Sequence, residues 1–282
     1  MKKLIYQVYT GKKSKLYDHC TASVKAYAKR IGADYVLQRD PILRIKPDVF
    51  LTNRSVESYE KHGGYLPIYE KENAFTYLHT NDQVAIIDAD IYIRDFSPDI
   101  FEYLGPSYEF GAVMERSMPL TSQYQAKIRN YSNMQYGMNP LRDLFDWNNK
   151  SGANFMNMGM MIINKSFLRH LNNETPQQFL RRQRFKPFID GMGAWKWSTD
   201  QTLLNVFMKE ERVKVKEMHW VWNGLFGANT LIEDCHFVHF FLKDKLPAQG
   251  ENVEELMKQV LQPGGWPPGG SVGSLHREEQ SE

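Results

Sequence analysis

Residues 83–93 read QVAIIDADIYI, and this stretch indicates the fold class. Its four consecutive apolar residues, 84–87, predict a strand that is covered on both faces, which is typical of the parallel sheet in an α/β protein. Two carboxylates, Asp88 and Asp90, follow the apolar run within the same β-prone stretch. Because residues two apart in a strand point to the same face, we expect these two side chains to lie next to each other.

Two neighbouring carboxylates repel each other, and burying them without compensation costs several kcal/mol. A divalent cation removes both costs, and Mg²⁺ and Mn²⁺ prefer oxygen ligands of this kind. Ligands of open α/β sheets also bind at the carboxyl ends of the strands. The pattern therefore predicts a metal site at Asp88 and Asp90. A solvated turn, in which the acids merely end the strand, is the alternative interpretation.

Strand-like and helix-like segments alternate outward from this stretch. Residues 4–9 are β-prone, apolar residues recur at helical spacing over 16–31, and 34–38 predict a second strand, which together make a β-α-β unit. Further strands are predicted at 110–115, 156–164, 213–218 and 235–240, and further helices at 67–80, from Thr175, from Ser198 and at 251–261. Residues 46–64 and 118–150 are polar and predict loops around a site. We predict one α/β domain over 1–261 and a flexible Gly/Pro-rich tail over 262–282.

Composition excludes several classes of protein. With 42% hydrophobic and 24% charged residues the chain is an ordinary globular protein, not a disordered or coiled-coil one. The net charge of +2 gives no electrostatic basis for a nucleic acid or an acidic membrane surface as partner. Two cysteines far apart in sequence, Cys20 and Cys235, indicate a reducing compartment. No signal peptide and no apolar run of about 18 residues is evident, so we expect a soluble, cytoplasmic protein without a membrane span.

Three more motifs carry candidate chemistry. His236 and His239 are three apart on a predicted strand, so only one of them can join a metal site, and an ordinary packed histidine is the alternative. Lys243 and Lys245 follow, and a lysine beside a metal-bound diphosphate would neutralise a leaving group.

Asn157, Met158 and Gly159 form the second of these motifs, and a glycine within a strand marks a bulge or a close approach, although simple packing is equally plausible. The third is Asp200-Gln201 at a helix start, where a capping box from Ser198 and the helix dipole offer a purely structural explanation.

In this order the motifs resemble those of metal-dependent GT-A glycosyltransferases, most closely the retaining galactosyltransferase and glycogenin group. That group has a strand ending in D-x-D, an N-A-G-like strand, a D-Q helix start and an H-x-x-G-x-x-K motif. The counterparts here are Asp88 and Asp90, Asn157 to Gly159, Asp200 and Gln201, and His239 with Lys245. The resemblance extends over about residues 1–250. Residues 69–74 and 197–201 are similar to stretches of chlorella-virus glycosyltransferase domains that act on a capsid glycan.

The resemblance implies a GT-A fold, with a Rossmann-like, mostly parallel sheet, and transfer of a sugar from a nucleotide-sugar, a UDP-sugar, to a glycan acceptor with retention. It implies that Asp88, Asp90 and His239 hold Mn²⁺ or Mg²⁺. It implies catalytic roles for Asp200 and Gln201 near the anomeric carbon, and for Lys245 at the departing diphosphate. The residues it implies for donor binding are Tyr9, Thr10, Tyr17, Lys71, Asp88, Ala89, Asn157 and Gly159.

The chain departs from the family pattern at two places. In the family a glycine stands three residues after the histidine, and here Leu242 occupies that position. Residues 9–12 also lack the acidic residue that the family has in its first loop. The first departure concerns the diphosphate loop and the second concerns recognition of the base. Two other functions also fit a D-x-D motif: a metal-dependent phosphohydrolase with an aspartate nucleophile, and a nucleotide-sugar-binding protein without turnover.

Overall fold

The computed structural model describes residues 1–48, 60–242 and 246–261. Lys243, Lys245 and the predicted tail over 262–282 lie outside the described residues, as do residues 49–59 of the first predicted loop. In chain order the strands are β1 (Lys3–Val8), β2 (Asp34–Gln38), β3 (Gln83–Ile87), β4 (Ile91–Ile93), β5 (Phe110–Met114), β6 (Trp147–Asn148), β7 (Gly152–Ala153), β8 (Met156–Asn164), β9 (Val215–Met218), β10 (Gly224–Leu225) and β11 (Phe237–His239).

Helices cover and connect these strands. The α-helices are α1 (Lys15–Arg30), α2 (Ser122–Tyr136), α3 (Pro176–Leu180), α4 (Lys186–Asp190), α5 (Asp200–Glu210) and α6 (Val253–Leu261). Shorter 3₁₀ segments include Ile100–Glu102, Glu115–Ser117, Leu141–Leu144, Lys165–His170, Gln183–Phe185, Gly193–Trp197, Trp220–Trp222 and Ile232–Asp234. The helix predicted at 67–80 is present as the 3₁₀ segment Pro67–His79, with its proline at the first turn.

A six-stranded sheet forms the centre of the molecule in the order β2-β1-β3-β8-β5-β9. The pairs β1–β2, β1–β3 and β5–β9 are parallel, whereas β8 runs antiparallel to both of its neighbours. The predicted α/β class with a mostly parallel sheet is therefore confirmed. Every residue of β3 is buried, as its apolar run predicts for a strand covered on both faces.

Local sequence signals explain the first half of this sheet. Ser14 caps α1 by accepting a hydrogen bond from the Tyr17 amide, and Gly32 follows the helix with a left-handed φ of +67° that glycine adopts at little cost. The apolar face of α1 is buried and β1 pairs in parallel with β2, so the predicted β-α-β unit is present. The capping box predicted at Thr175 is also confirmed at the start of α3.

The two aspartates directly follow β3, as the sequence predicts, but they do not themselves lie within a strand. They occupy the turn between β3, which belongs to the central sheet, and β4, which belongs to a three-stranded sheet β10-β11-β4. The chain must leave one sheet for the other here, because β3 pairs with β8 whereas β4 pairs with β11. The Asp88 amide donates to the Gly159 carbonyl, and the Asp90 carbonyl accepts from the Phe240 amide. Backbone bonds to two different sheets thus hold the turn.

The structure corrects two further predictions. Residues 118–150 are not a loop throughout, because they contain α2, which is capped by Thr121. Few of its buried residues are apolar, so its helical periodicity is weak in the sequence. The N-cap of α5 is Thr199 rather than Ser198, since the Thr199 side chain accepts from the Gln201 amide.

The core lies on both faces of the central sheet and includes the methionines of β8, namely Met156, Met158, Met160 and Met161. A second buried cluster, which contains Cys20 and Cys235 as free thiols, packs α1 and α6 against the smaller sheet. Across residues 1–48, 60–242 and 246–261, none of the helices combines the length and the apolar character that a bilayer crossing requires.

Candidate active site

Three side chains with metal-ligating atoms meet where β3 ends. Asp88, Asp90 and His239 can each present one ligand atom such that all three atoms lie within 4.8 Å of one another. Nε2 of His239 is 3.3 Å from Oδ1 of Asp90 and 3.9 Å from Oδ2 of Asp88. The pairing of His239 with Ile91 in neighbouring strands brings the histidine to the turn. Two carboxylates and one imidazole form a donor set that is compatible with a divalent metal ion.

Burial makes the charges of this cluster depend on one another. Desolvation raises the pKa of Asp88 to about 6, opposed by the Lys71 ammonium and reinforced by the Asp90 carboxylate. Burial alone lowers the pKa of His239, but the neighbouring carboxylates of Asp90 and Asp88 outweigh it and raise that pKa overall. The cluster therefore favours bound positive charge, either as protons or as a cation.

Lys71 is the buried cation beside the cluster. Its Nζ lies 2.9 Å from Oδ1 of Asp88 and 2.8 Å from Oδ2 of Asp200, and it donates to the Met158 carbonyl at 3.0 Å. The residue is only 7% exposed. Burial would lower the pKa of Lys71, but the Asp200 and Asp88 carboxylates raise it, so the ammonium stays charged. Lys71 thus ties the turn to the start of α5.

Asp200 and Gln201 open α5 and face the same cavity. Oε1 of Gln201 accepts from the Met158 amide at 3.3 Å, which anchors the helix start to β8. An aspartate in the first turn also interacts favourably with the helix dipole. Helix capping therefore explains the hydrogen bond of the Gln201 amide. The side chains of Asp200 and Gln201 nevertheless line the cavity.

A cavity of about 560 Å³ opens over these groups. Its polar lining comprises Lys71, Asp88, Asp90, Glu115, Asn157, Asp200, Gln201 and His239. The wall beyond them comes chiefly from α2 and from the residues after β11, namely Tyr124, Lys127, Ile128, Tyr131, Phe241 and Leu242. The site therefore combines a cluster of charged groups at one side with a wall at the other that is aromatic and apolar except for Lys127, which is typical of a small-molecule pocket.

The predicted donor residues near the N-terminus form a separate group. Tyr9, Thr10 and Tyr17 lie where β1 ends and α1 begins, and they are not among the residues that line the 560 Å³ cavity. The rings of Tyr9 and Tyr17 meet edge to face at 5.1 Å, and the Arg39 guanidinium lies 4.0 Å over the Tyr9 ring. Ala89 is buried in the turn between the two aspartates.

The structure brings His239, but not His236, to the aspartates. The His236 ring packs against Trp222 at 4.9 Å and against Phe96 at 5.7 Å. Gly159 of β8 faces His239 so closely that a Cβ added there would lie 2.4 Å from Cε1 of the ring. The glycine within this strand thus marks the close approach of the imidazole.

The residues that α2 contributes to the cavity were missed from the sequence, as were Glu115 and Asn223. Glu115 is buried, lines the cavity and accepts from Nδ2 of Asn157 at 2.7 Å. Glu115 directly follows the apolar strand β5, just as Asp88 directly follows β3, so the same sequence pattern could have predicted it. Asn223 lies in the connection before β10 and has no comparable local signal.

Glu115→Gln is expected to make the stability of the metal-free protein less dependent on pH. Burial raises the pKa of Glu115 from 4.5 to about 7 in the folded state. The folded protein therefore keeps a proton that the unfolded chain has lost, so this group lowers stability as pH rises through that window, by on the order of 1–3 kcal/mol. Urea unfolding at about pH 5 and pH 7.5 measures the difference. An equal pH dependence in wild type and variant would contradict the assignment.

No protein-family model and no curated protein sequence matches the chain. Its backbone does match solved structures. A structure of the galactosyltransferase LgtC in complex with donor and acceptor sugar analogs matches with a TM-score of 0.51 at 14% identity, over 94% of this chain and 99% of that one. The chain has the GT-A fold. A second LgtC structure matches with a TM-score of 0.50 at 15% identity, again over 94% and 99% of the two chains.

A glycosyltransferase involved in glycosylation of the major capsid of PBCV-1 matches with a TM-score of 0.46 at 11% identity, over 91% of this chain and 100% of that one. The resemblance predicted from the ordered motifs is thus confirmed at the level of the fold, for which the LgtC matches suffice. At these identities the function of this chain has to be argued from its own site.

Proposed function

We propose that the protein is a metal-dependent glycosyltransferase that moves a sugar from a nucleoside-diphosphate sugar to a glycan acceptor. The observation that carries this proposal is the meeting of Asp88, Asp90 and His239 in one cavity at the carboxyl end of β3. In a GT-A fold this is the edge of the sheet at which ligands of open α/β sheets bind. The protein's own residues supply the ligands, a buried cation and a helix start directed at the same space.

Asp88, Asp90 and His239 would hold the metal. Two carboxylate oxygens and an imidazole nitrogen suit Mn²⁺ or Mg²⁺. Burial and the neighbouring Asp90 carboxylate raise the pKa of Asp88 to about 6, and a bound cation would offset that cost. When bound, the metal supplies positive charge against the diphosphate of the donor.

The remaining groups are proposed to position the sugar and stabilise the leaving group. Asp200 and Gln201 would orient the sugar near its anomeric carbon, because they face the cavity from the rigid start of α5. Lys71 forms ion pairs with both Asp88 and Asp200, so it would fix the positions of the two carboxylates before the substrate binds. Lys245 is proposed to neutralise the departing diphosphate, and the reaction to proceed with retention.

The base of the donor and the glycan acceptor are proposed to bind on opposite sides of the two aspartates. Tyr9, Thr10 and Tyr17 would hold the base of a UDP-sugar at the end of β1. Ala89, Asn157 and Gly159 are proposed to contact the donor through the turn and β8. The glycan acceptor would then bind against the wall formed by α2, where aromatic rings offer the stacking surfaces that sugars use.

A cytoplasmic location stays a prediction from the sequence.

UDP is expected to bind much more tightly in Mn²⁺ than in EDTA, because without the cation its diphosphate faces Asp88 and Asp90 directly. Isothermal titration calorimetry measures both affinities, and a panel of nucleotide-sugars with detection of free UDP measures turnover. His239→Ala should weaken Mn²⁺ and UDP binding together, whereas His236→Ala, the matched control on the same strand segment, should leave both near wild type.

Equal UDP affinity with and without Mn²⁺ would contradict metal-dependent binding of the donor. Nucleotide-sugar binding with no transfer or hydrolysis across the panel would instead indicate a binding protein without turnover. Inhibition by beryllofluoride, with phosphate release from a phosphomonoester, would indicate the phosphohydrolase.

A further inference from the structure

We propose that Asn223 is a positioning residue that sets the tautomer of His239, at the end of a relay of side-chain amides anchored on the Gly159 backbone. The inference rests on the proposed function only in taking Nε2 of His239 as the metal-binding atom. Its evidence is a continuous series of hydrogen bonds in which the donor and acceptor of every step can be assigned.

The relay begins at an unambiguous donor, the backbone N–H of Gly159. This N–H donates to Oδ1 of Asn157 at 2.9 Å, so the oxygen of that amide, and not its nitrogen, must face Gly159. The opposite end of the same amide agrees, because Nδ2 of Asn157 donates to Oε1 of Glu115 at 2.7 Å. Two independent partners therefore orient the Asn157 amide.

The orientation is passed on to Asn223. Oδ1 of Asn157 lies 2.7 Å from the Asn223 amide, and an oxygen can only accept, so Asn223 must present its Nδ2 donor to it. The Asn223 oxygen then faces Nδ1 of His239 at 3.0 Å. An amide oxygen has no hydrogen to give, which requires that Nδ1 of His239 carries the proton.

The consequence is at the other ring nitrogen. When the imidazole is neutral and Nδ1 is protonated, Nε2 presents its lone pair to the space between Asp90 and Asp88. A metal ligand needs that lone pair, and the hydrogen bond made by the other nitrogen is what selects the tautomer. Asn223 is completely buried, so bulk solvent does not reach its oxygen.

Gly159 contributes to the same arrangement a second time. A Cβ at this position would lie 2.6 Å from Nδ1 of His239 and 3.0 Å from Oδ1 of Asn157, so a larger residue would displace the ring from the relay. Asn157 is only 8% exposed, and its oxygen already accepts twice. The relay thus gives Asn157 a role in positioning His239 that is separate from any contact with a donor.

The direct test is nitrogen-15 NMR of the His239 imidazole in the metal-free wild-type protein, at a pH above its raised pKa. We expect the Nδ1–H tautomer, although free histidine side chains favour Nε2–H and Oδ1 of Asp90, 3.3 Å from Nε2, is a competing acceptor for that proton. Asn223→Leu removes the acceptor and is expected to shift His239 toward Nε2–H and to weaken Mn²⁺ binding by about 10–100-fold in calorimetry.

Asn229→Leu is the matched control, since Asn229 is a buried asparagine nearby that accepts from the Leu225 amide and lies outside the relay. It should leave the His239 tautomer and Mn²⁺ affinity unchanged even if it lowers the melting temperature. An Nε2–H tautomer in the wild type would overturn the proposal without any variant having to fold. An unchanged tautomer in Asn223→Leu would overturn it as well.

The two proposals fail separately in these experiments. If His239 shows the Nδ1–H tautomer and loses it in Asn223→Leu, but no variant or wild-type protein binds Mn²⁺, the relay stands and the metal-dependent function does not. If the wild type binds Mn²⁺ and transfers sugar while His239 carries its proton on Nε2, the function stands and the relay does not.

Discussion

Asp88→Asn and Asp90→Asn are each expected to lower sugar transfer at least about a hundredfold, because each removes one anionic ligand from the proposed metal site. Neither variant should lose its fold. The pKa of Asp88 is raised to about 6, which means that the folded protein favours the uncharged side chain relative to the unfolded chain. A neutral asparagine is therefore expected to leave the metal-free melting temperature at neutral pH unchanged or higher.

Transfer assays across a Mn²⁺ titration, together with thermal unfolding in EDTA, measure both effects. Asp146→Asn is a suitable control, because Asp146 is an exposed aspartate paired with Arg116 at the surface. It should keep both the activity and the Mn²⁺ requirement of the wild type. Full transfer by either site variant at an ordinary Mn²⁺ concentration would show that Asp88 and Asp90 do not hold the metal.

Lys71→Met is expected to cost about 3–5 kcal/mol of stability and most of the transfer activity. The substitution leaves the carboxylates of Asp88 and Asp200 in the interior without the cation that now lies within 2.9 Å of both. The pKa of Asp88 should then rise further, so that protonation relieves the unpaired charge. The loss of stability should therefore be larger at about pH 8 than at about pH 5.

Lys186→Met is the matched control for this variant. Lys186 also bridges two aspartates, Asp48 and Asp190, but its side chain is 37% exposed. Without it, water can solvate the exposed Asp48, and Asp190 still accepts a hydrogen bond from the Asp48 amide. The Lys186 variant should lose much less stability than Lys71→Met, as measured by urea unfolding at both pH values. If the two variants lose similar amounts, or if Lys71→Met is as stable at pH 8 as the wild type, Lys71 does not compensate the buried carboxylates.

Local patterns in the sequence were sufficient to predict those elements that are stabilised mainly by residues close together in the chain. The β-α-β start, the buried strand β3 and the capping box at Thr175 each depend on residues within a few positions of one another. The helix α2 was missed for the converse reason. Part of its inner face lines the cavity with polar and aromatic side chains instead of packing an apolar stripe against the core, so it lacks the periodicity of an ordinary surface helix.

The class of fold and the two carboxylates at the end of a buried strand follow from the order of the residues alone. That these carboxylates lie in a turn between two sheets depends on long-range contacts, because the pairing of β4 with β11 redirects the chain there. The same pairing brings His239 to Asp90, while Asp200 meets Lys71 through the packing of α5 against β8. Such contacts join residues far apart in the chain. Their geometry follows from strand pairing and burial, so no local sequence pattern predicts them.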